Sequence, residues 1–205
     1  MAIFGLFKKK FDAKESLLVM TEMIDKMERF SKQSLPIIEA TTENTKDIHA
    51  LIEKIKKDPT QFNKNMSVLK DDINNIFRGD IRDKKYAYTL HKVFESMSDK
   101  ANSDKYTEKV LNLIAKGKEA LTEVEKEIGM LYQLDRFIRG ELIALRQNVS
   151  NPVKFSQELE EFDKKLKKDQ DLHKMNWRAT RDLIHILEQL KIEMHVISEK
   201  LGLAA

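Results

Sequence analysis

The chain contains no cysteine. Disulfide frameworks, thiolate metal sites and a cysteine nucleophile are therefore excluded, and the absence fits an intracellular setting. Three prolines and six glycines in 205 residues leave few chain breaks, too few for a protein of many short strands and turns. No apolar run approaches the roughly 20 residues that a membrane-spanning helix needs. The opening MAIFGLF is far shorter than that. Its lysines follow the apolar stretch instead of preceding it, so it does not read as a secretory signal. Also missing are a glycine-rich phosphate loop, a Gly-x-Ser-x-Gly elbow and a His-Glu-x-x-His pair. Di-iron bundles use Glu-x-x-His on facing helices, and that is missing too. These gaps lead us to expect no catalytic residue, no cofactor and no metal: a protein that is not an enzyme.

What is abundant is charge, 35% of residues, beside only 7% aromatics. With plentiful Lys, Glu, Leu and Ile, this composition favours long helices. The formal net charge of +3 is unevenly placed. Residues 1–14 hold four lysines and one aspartate, whereas residues 15–205 hold 33 basic and 33 acidic side chains. A nucleic-acid binder would spread its excess along a face or groove, so no nucleic-acid partner is expected.

Apolar residues recur at alternating spacings of three and four, the period of a packed helical seam. One seam runs Val110, Ile114, Gly117, Leu121, Val124, Ile128, Leu131, Asp135, Ile138, Leu142, Leu145, and another Phe155, Leu159, Phe162, Leu166, Asp169, His173, Asn176, Thr180, Leu183, Leu187, Leu190, Met194. Asp58-Pro59 and Asn151-Pro152 each place a capping side chain before a proline at the first helical position. Each is followed by a phenylalanine, Phe62 or Phe155. The two motifs lie 93 residues apart, a spacing a duplicated helical hairpin would leave. Breaks are expected at Pro36, at Gly79-Asp80, with Gly79 as a C-terminal cap, and across the polar stretch from Ser98 to Asp104. The expected helices are therefore 12–34, 36–57, 59–78, 81–98, 104–149 and 152–202. The expected fold is all-α: an elongated antiparallel helical bundle, or coiled-coil hairpin, of about six helices. Residues 1–11 form a separate basic segment. Residues 12–205 form one bundle domain, made of a kinked half (12–98) and a long hairpin (104–205).

Two places carry the functional expectations. Asp169, His173, Asn176 and Thr180 occupy successive seam positions. A tight turn near Ser150 sets Asp135 opposite about residue 167, and Thr41 and Thr45 lie on the first seam. Together Asp135, Asp169, His173, Asn176 and Thr180 form a candidate ligand site between helices; the alternative is a polar layer that fixes helix register. The second place is the N-terminus. On a helical wheel Ile3, Phe4, Leu6, Phe7 and Phe11 cover an arc of about 160°. Lys8 and Lys10 border or leave that arc and Lys9 lies opposite, lysines placed to snorkel at an anionic leaflet. Ile3, Phe4, Leu6, Phe7, Lys8, Lys9, Lys10 and Phe11 are thus candidates for membrane or partner contact. The alternative is that they fold back on the bundle.

Residues 1–35 run from a Phe/Leu-then-Lys start into a first helix at Ala13. With Leu69-Lys70-Asp71-Asp72-Ile73-Asn74-Asn75-Ile76-Phe77 and the helix-only content, they resemble the PhoU-like accessory proteins of phosphate transporters. The resemblance implies a cytoplasmic regulator at a membrane transporter. That family's acidic Glu-x-x-x-Asp metal motif has no clear counterpart here, so its metal sites are not carried over. The expected function is a non-enzymatic scaffold or adaptor, cytoplasmic and peripheral at the inner face of the membrane. Its expected partners are an anionic membrane surface or membrane protein, and a protein partner or second copy of itself. The alternative function is a PhoU-like regulator, or a ligand- or metal-binding bundle using the polar seam.

Overall fold

The computed structural model describes residues 10–203, with side chains from Ala13 onward. The candidate contact segment Ile3–Phe11 therefore lies outside the described side chains. The described chain is all-helical: α1 (Lys10–Lys57), α2 (Gln61–Ser103), α3 (Glu108–Asn148) and α4 (Pro152–Lys200), in a bundle. The count is four where the sequence suggests about six, because two expected breaks, at Pro36 and at Gly79, are not breaks, while the third falls later than expected, at 104–107. Pro36 sits inside α1. It is exposed, while the buried seam Met27, Ser31, Ser34, Ile38, Thr41 continues beneath it, so packing outweighs the lost backbone hydrogen bond. Gly79 lies inside α2 and is not a cap. A Cβ built there would stand 2.3 Å from Thr41 Cγ2, so glycine is present because two helices approach closely. The polar stretch from Ser98 stays helical to Ser103; it buries Ala101.

The expected caps at the other junctions form. Thr60 N donates to Asp58 Oδ1 at 3.1 Å, and Lys154 N to Asn151 Oδ1 at 3.2 Å. Each satisfies a backbone donor that a helix start leaves unpaired.

The chain divides into two compact units, each using a segment of all four helices. One combines the chain up to Ser34 with Tyr86–Val124 and the chain from Ala179. Phe94 packs there against Gly117, where a Cβ would stand 2.5 Å from its ring. Lys191 binds Asp25 and Glu28 at 2.9 and 2.8 Å, and the Ser16 hydroxyl joins Asp104 and Tyr106.

The other unit combines Leu35–Lys85 and Glu125–Arg178. Its core includes Ile48, Ile52, Phe62, Leu69, Leu131, Leu145, Phe155 and Phe162 from all four helices. Asn148 meets Glu158 and Glu141 meets Lys165. The residue numbers of these contacts have a constant sum, so α3 and α4 run antiparallel. Phe62 meets Phe155 at 5.1 Å between ring centroids, Asp80 meets His173 at 2.9 Å and Asp83 meets Asn176 at 2.6 Å. These have a constant difference of 93, so α2 and α4 run parallel here. That is the spacing of the two capping motifs. Moreover, all twelve buried positions of α2, from Phe62 to Ala101, have a buried counterpart 93 residues on in α4. α2 and α4 share one burial pattern.

Candidate functional site

The unit formed by Leu35–Lys85 and Glu125–Arg178 encloses an unusually charged interior. Asp80 and Asp83 come from α2, Asp135 from α3, and Asp169, His173 and Asn176 from α4; all are buried. α1 contributes Thr45, whose hydroxyl donates to Asp169 Oδ2 at 3.0 Å and to its own helix at the Thr41 carbonyl. Buried carboxylates are rare because leaving water is costly without compensation. Here four share one imidazole.

His173 is held from both sides. Nδ1 lies 2.9 Å from the Asp169 backbone carbonyl and 3.3 Å from Asp169 Oδ2, and Nε2 lies 2.9 Å from Asp80 Oδ1. Burial works against a charged imidazole. The hydrogen bonds to Asp169 and Asp80, with the charge of both, outweigh it and raise the His173 pKa well above its ordinary value. One turn along, Asn176 Nδ2 donates to Asp83 Oδ2 at 2.6 Å. Burial pushes Asp83 up to about 7 against the opposing pull of that bond. Asp135 rises to about 9, first through burial and then through the nearby charges of Asp80 and Asp169.

Even with these contacts the cluster is short of donors. Asp80 Oδ2, Asp83 Oδ1, Asp135 Oδ2, Asp169 Oδ1 and Asn176 Oδ1 are buried without a hydrogen-bond partner. In the ionised side chain each is an acceptor, and an unmade buried bond of this kind costs about 1–3 kcal/mol; Asp135, raised to about 9, keeps a proton at neutral pH that it can donate. The unpartnered oxygens of Asp80 and Asp169 beside His173 describe a place suited to a cation. The ligand atoms that Asp80, Asp169 and His173 can offer lie within 4.8 Å of one another. Donors on one ion at about 2.0–2.2 Å stand roughly 3–4 Å apart, so small rotations close such a set. Thr45 on Asp169, and the Asp169 carbonyl on His173 Nδ1, orient the donors from behind.

Of the residues singled out by the polar seam, Asp135, Asp169, His173 and Asn176 are brought together. Thr180 is buried too, but it belongs to the unit that starts again at Ala179. Asp80 and Asp83 were missed, because Gly79-Asp80 reads as a break. The signal was available: Ile73, Ile76, Asp80, Asp83, Ala87 and Leu90 keep the three-four spacing straight through it.

The remaining histidines are ordinary surface or half-buried partners. His91 pairs with Glu95 and His195 with Glu199, both at 3.3 Å, as their spacing suggests. His49 binds Asp163 at 2.7 Å, and His185 lies 2.9 Å from Gln189. Trp177 donates its indole N–H to Glu39 at 3.0 Å. No helix among the described residues is long and apolar enough to cross a membrane. No protein-family model, curated protein or solved structure matches this chain.

Proposed function

We propose that this protein is a non-enzymatic, cation-binding helical bundle whose working site is the buried cluster of Asp80, Asp135, Asp169 and His173. The observation that carries this reading is the excess of buried acceptors: unpartnered oxygens on Asp80 and Asp169, whose ligand atoms can meet one from His173, with Asp135 a charged neighbour. A divalent cation supplies what the cluster lacks, positive charge and directed bonds in a dry interior. Carboxylate oxygens with one imidazole nitrogen suit Mn2+ or Zn2+ better than a soft metal. Because all four helices contribute to the cluster or its support, a bound ion would tighten that unit as a whole. On the PhoU-like resemblance, such a bundle would serve as a cytoplasmic regulator at a transporter.

Titration of the chelator-treated protein with Mn2+ and with Zn2+, followed by calorimetry and thermal melting, tests the reading. The expected result is one ion per chain and a higher melting temperature. Both should be lost in Asp80→Asn and Asp169→Asn, with helical content by circular dichroism unchanged. A folded wild-type protein that binds neither ion refutes it.

A second reading rests on one sequence observation: the whole formal charge excess lies in residues 1–14, beside an apolar arc. In that reading the chain is an adaptor that docks peripherally at an anionic membrane through residues 1–11. Each lysine near such a surface contributes about 1 kcal/mol, so the expected binding is weak and salt-sensitive. Co-sedimentation with phosphatidylserine vesicles should fall when residues 1–11 are deleted. Equal sedimentation of full-length and shortened chains removes the idea.

A further inference from the structure

Acids and bases are equal in number over residues 15–205, but they are not equally exposed. Asp80, Asp83, Glu127, Asp135, Asp163 and Asp169 are buried, whereas no lysine or arginine among the described residues is. The surface of this balanced sequence is therefore basic. The imbalance is largest on α2 and α3 of the unit holding the cluster. Over 61–85 and 125–148, once the four buried acids are set aside, ten bases and four acids remain.

Several of those bases line one face. A groove of about 300 Å3 lies between α2 and α3, walled by Met66, Ile73, Leu142 and Ile143 and rimmed by Lys70, Arg139 and Arg146, with no acidic side chain in its lining. Lys70 and Arg146 make no hydrogen bond or ion pair among the described residues. Arg139 is pre-positioned: it donates to Asn74 Oδ1 at 3.1 Å, and its guanidinium lies 4.6 Å from the Phe77 ring centroid. Further along the same face Phe77 stacks on Tyr132, and Lys84 lies 4.3 Å from the Tyr132 ring centroid. From Met66 to Lys84 the face extends for about 27 Å at 1.5 Å rise per residue.

We infer that this α2–α3 face is a docking groove for an acidic amphipathic helix of a partner protein. The apolar floor matches a stripe of leucine or isoleucine at helical spacing, the mode by which an amphipathic helix lies in a groove. The unneutralised cations along the rim match carboxylates flanking that stripe, which sets partner choice and speeds encounter. Nucleic acid fits less well. The two aromatic rings are stacked on each other and flanked by cations, so neither offers a free face to a base. The groove is independent of cation binding in the interior, because its rim points outward from α2 and α3.

The test uses an 18-residue labelled peptide with leucine at i, i+3, i+4 and i+7 and glutamate elsewhere. Controls are a scrambled peptide of the same composition, a single-stranded oligonucleotide and phosphatidylserine vesicles. Anisotropy titrations should show the amphipathic peptide binding at least tenfold more tightly than the scrambled one, with affinity falling as salt rises. Lys70→Glu with Arg146→Glu should weaken binding at least tenfold at unchanged helical content. Lys118→Glu, on α3 in the other unit, should leave it unaltered. Ile143→Asp should also weaken it, which separates a groove from a simple charged patch. Equal binding of the two peptides overturns the proposal. So does an oligonucleotide or vesicle that binds more tightly and through the same residues, or an unchanged affinity in the double variant.

Discussion

Glycine shows at single-residue resolution how this bundle is specified. Gly79 and Gly140 are both in helix interiors, where glycine costs about 1 kcal/mol against alanine. Their surroundings differ. A Cβ at Gly79 meets Thr41 at 2.3 Å, while at Gly140 nothing lies within 4 Å. Thr41 has little room to move, since it is buried and its hydroxyl donates to the Ile37 and Ile38 carbonyls. Gly79→Ala should therefore destabilise the fold by roughly 1–2 kcal/mol, overpacking outweighing the gain in helix propensity. Gly140→Ala should stabilise it by about 0.5–1 kcal/mol. Urea midpoints of the two variants measure both. A Gly79→Ala protein as stable as the parent would show that α1 and α2 can separate there at no cost, contrary to the close approach. Thr41→Ser in the Gly79→Ala background should restore part of the loss, since it removes the methyl that the new Cβ meets.

Among the elements, the helices and their caps were legible because their signals are local. The three-four spacing, Asp58-Pro59 and Asn151-Pro152 each report on a single turn of chain. The expected breaks at Pro36 and Gly79 mislead because a breaker residue is a local signal, whereas the seam beneath it runs on. Pro36 is tolerated on an exposed turn over a buried line that runs on to Ile38 and Thr41. Gly79 is required by a neighbour that local sequence does not display. The same break hides two of the site's four carboxylates, Asp80 and Asp83. With a break at Gly79-Asp80, Asp80 becomes a loop residue and Asp83 the first turn of a separate helix 81–98, and the cluster looks like a modest polar layer on α1, α3 and α4. Restoring the helix turns it into four carboxylates, an asparagine and one imidazole. The relation between α2 and α4 was only hinted at by two capping motifs. Asp80 corresponds to His173, Asp83 to Asn176 and Ile76 to Asp169, so the 93-residue offset is kept in burial and lost in residue type. A pattern of that kind becomes visible only when each side chain's exposure is known.

For the molecule as a whole, the buried charge sets how stability depends on pH, provided metal is removed. An acid whose pKa is higher in the fold than in the unfolded chain keeps its proton in the fold. Its contribution is complete below the unfolded value and is lost as pH rises to the folded one. For Asp83 this window runs from 3.8 to about 7, and for Asp135 from 3.8 to about 9. His173, raised well above 6.5 between Asp80 and Asp169, works in the same direction from 6.5 upward. On the acid side the sign reverses. Glu28, bonded to Lys191 and Lys32, and Asp163, which overcomes its burial through Lys56 and Lys167, both have lowered pKa values. Their contribution is lost as pH falls below about 4. The chelator-treated protein should therefore be most stable near pH 5 and lose stability steadily to pH 9, whereas many proteins hold their maximum up to about pH 8. Denaturant midpoints at pH 5, 7 and 9 in the presence of EDTA measure the slope. Asp83→Asn should flatten the fall between pH 5 and 7 and leave the part above pH 7 in place. A midpoint that rises from pH 5 to pH 9 would mean that the cluster is not held protonated, and that its buried carboxylates are compensated by charges other than protons.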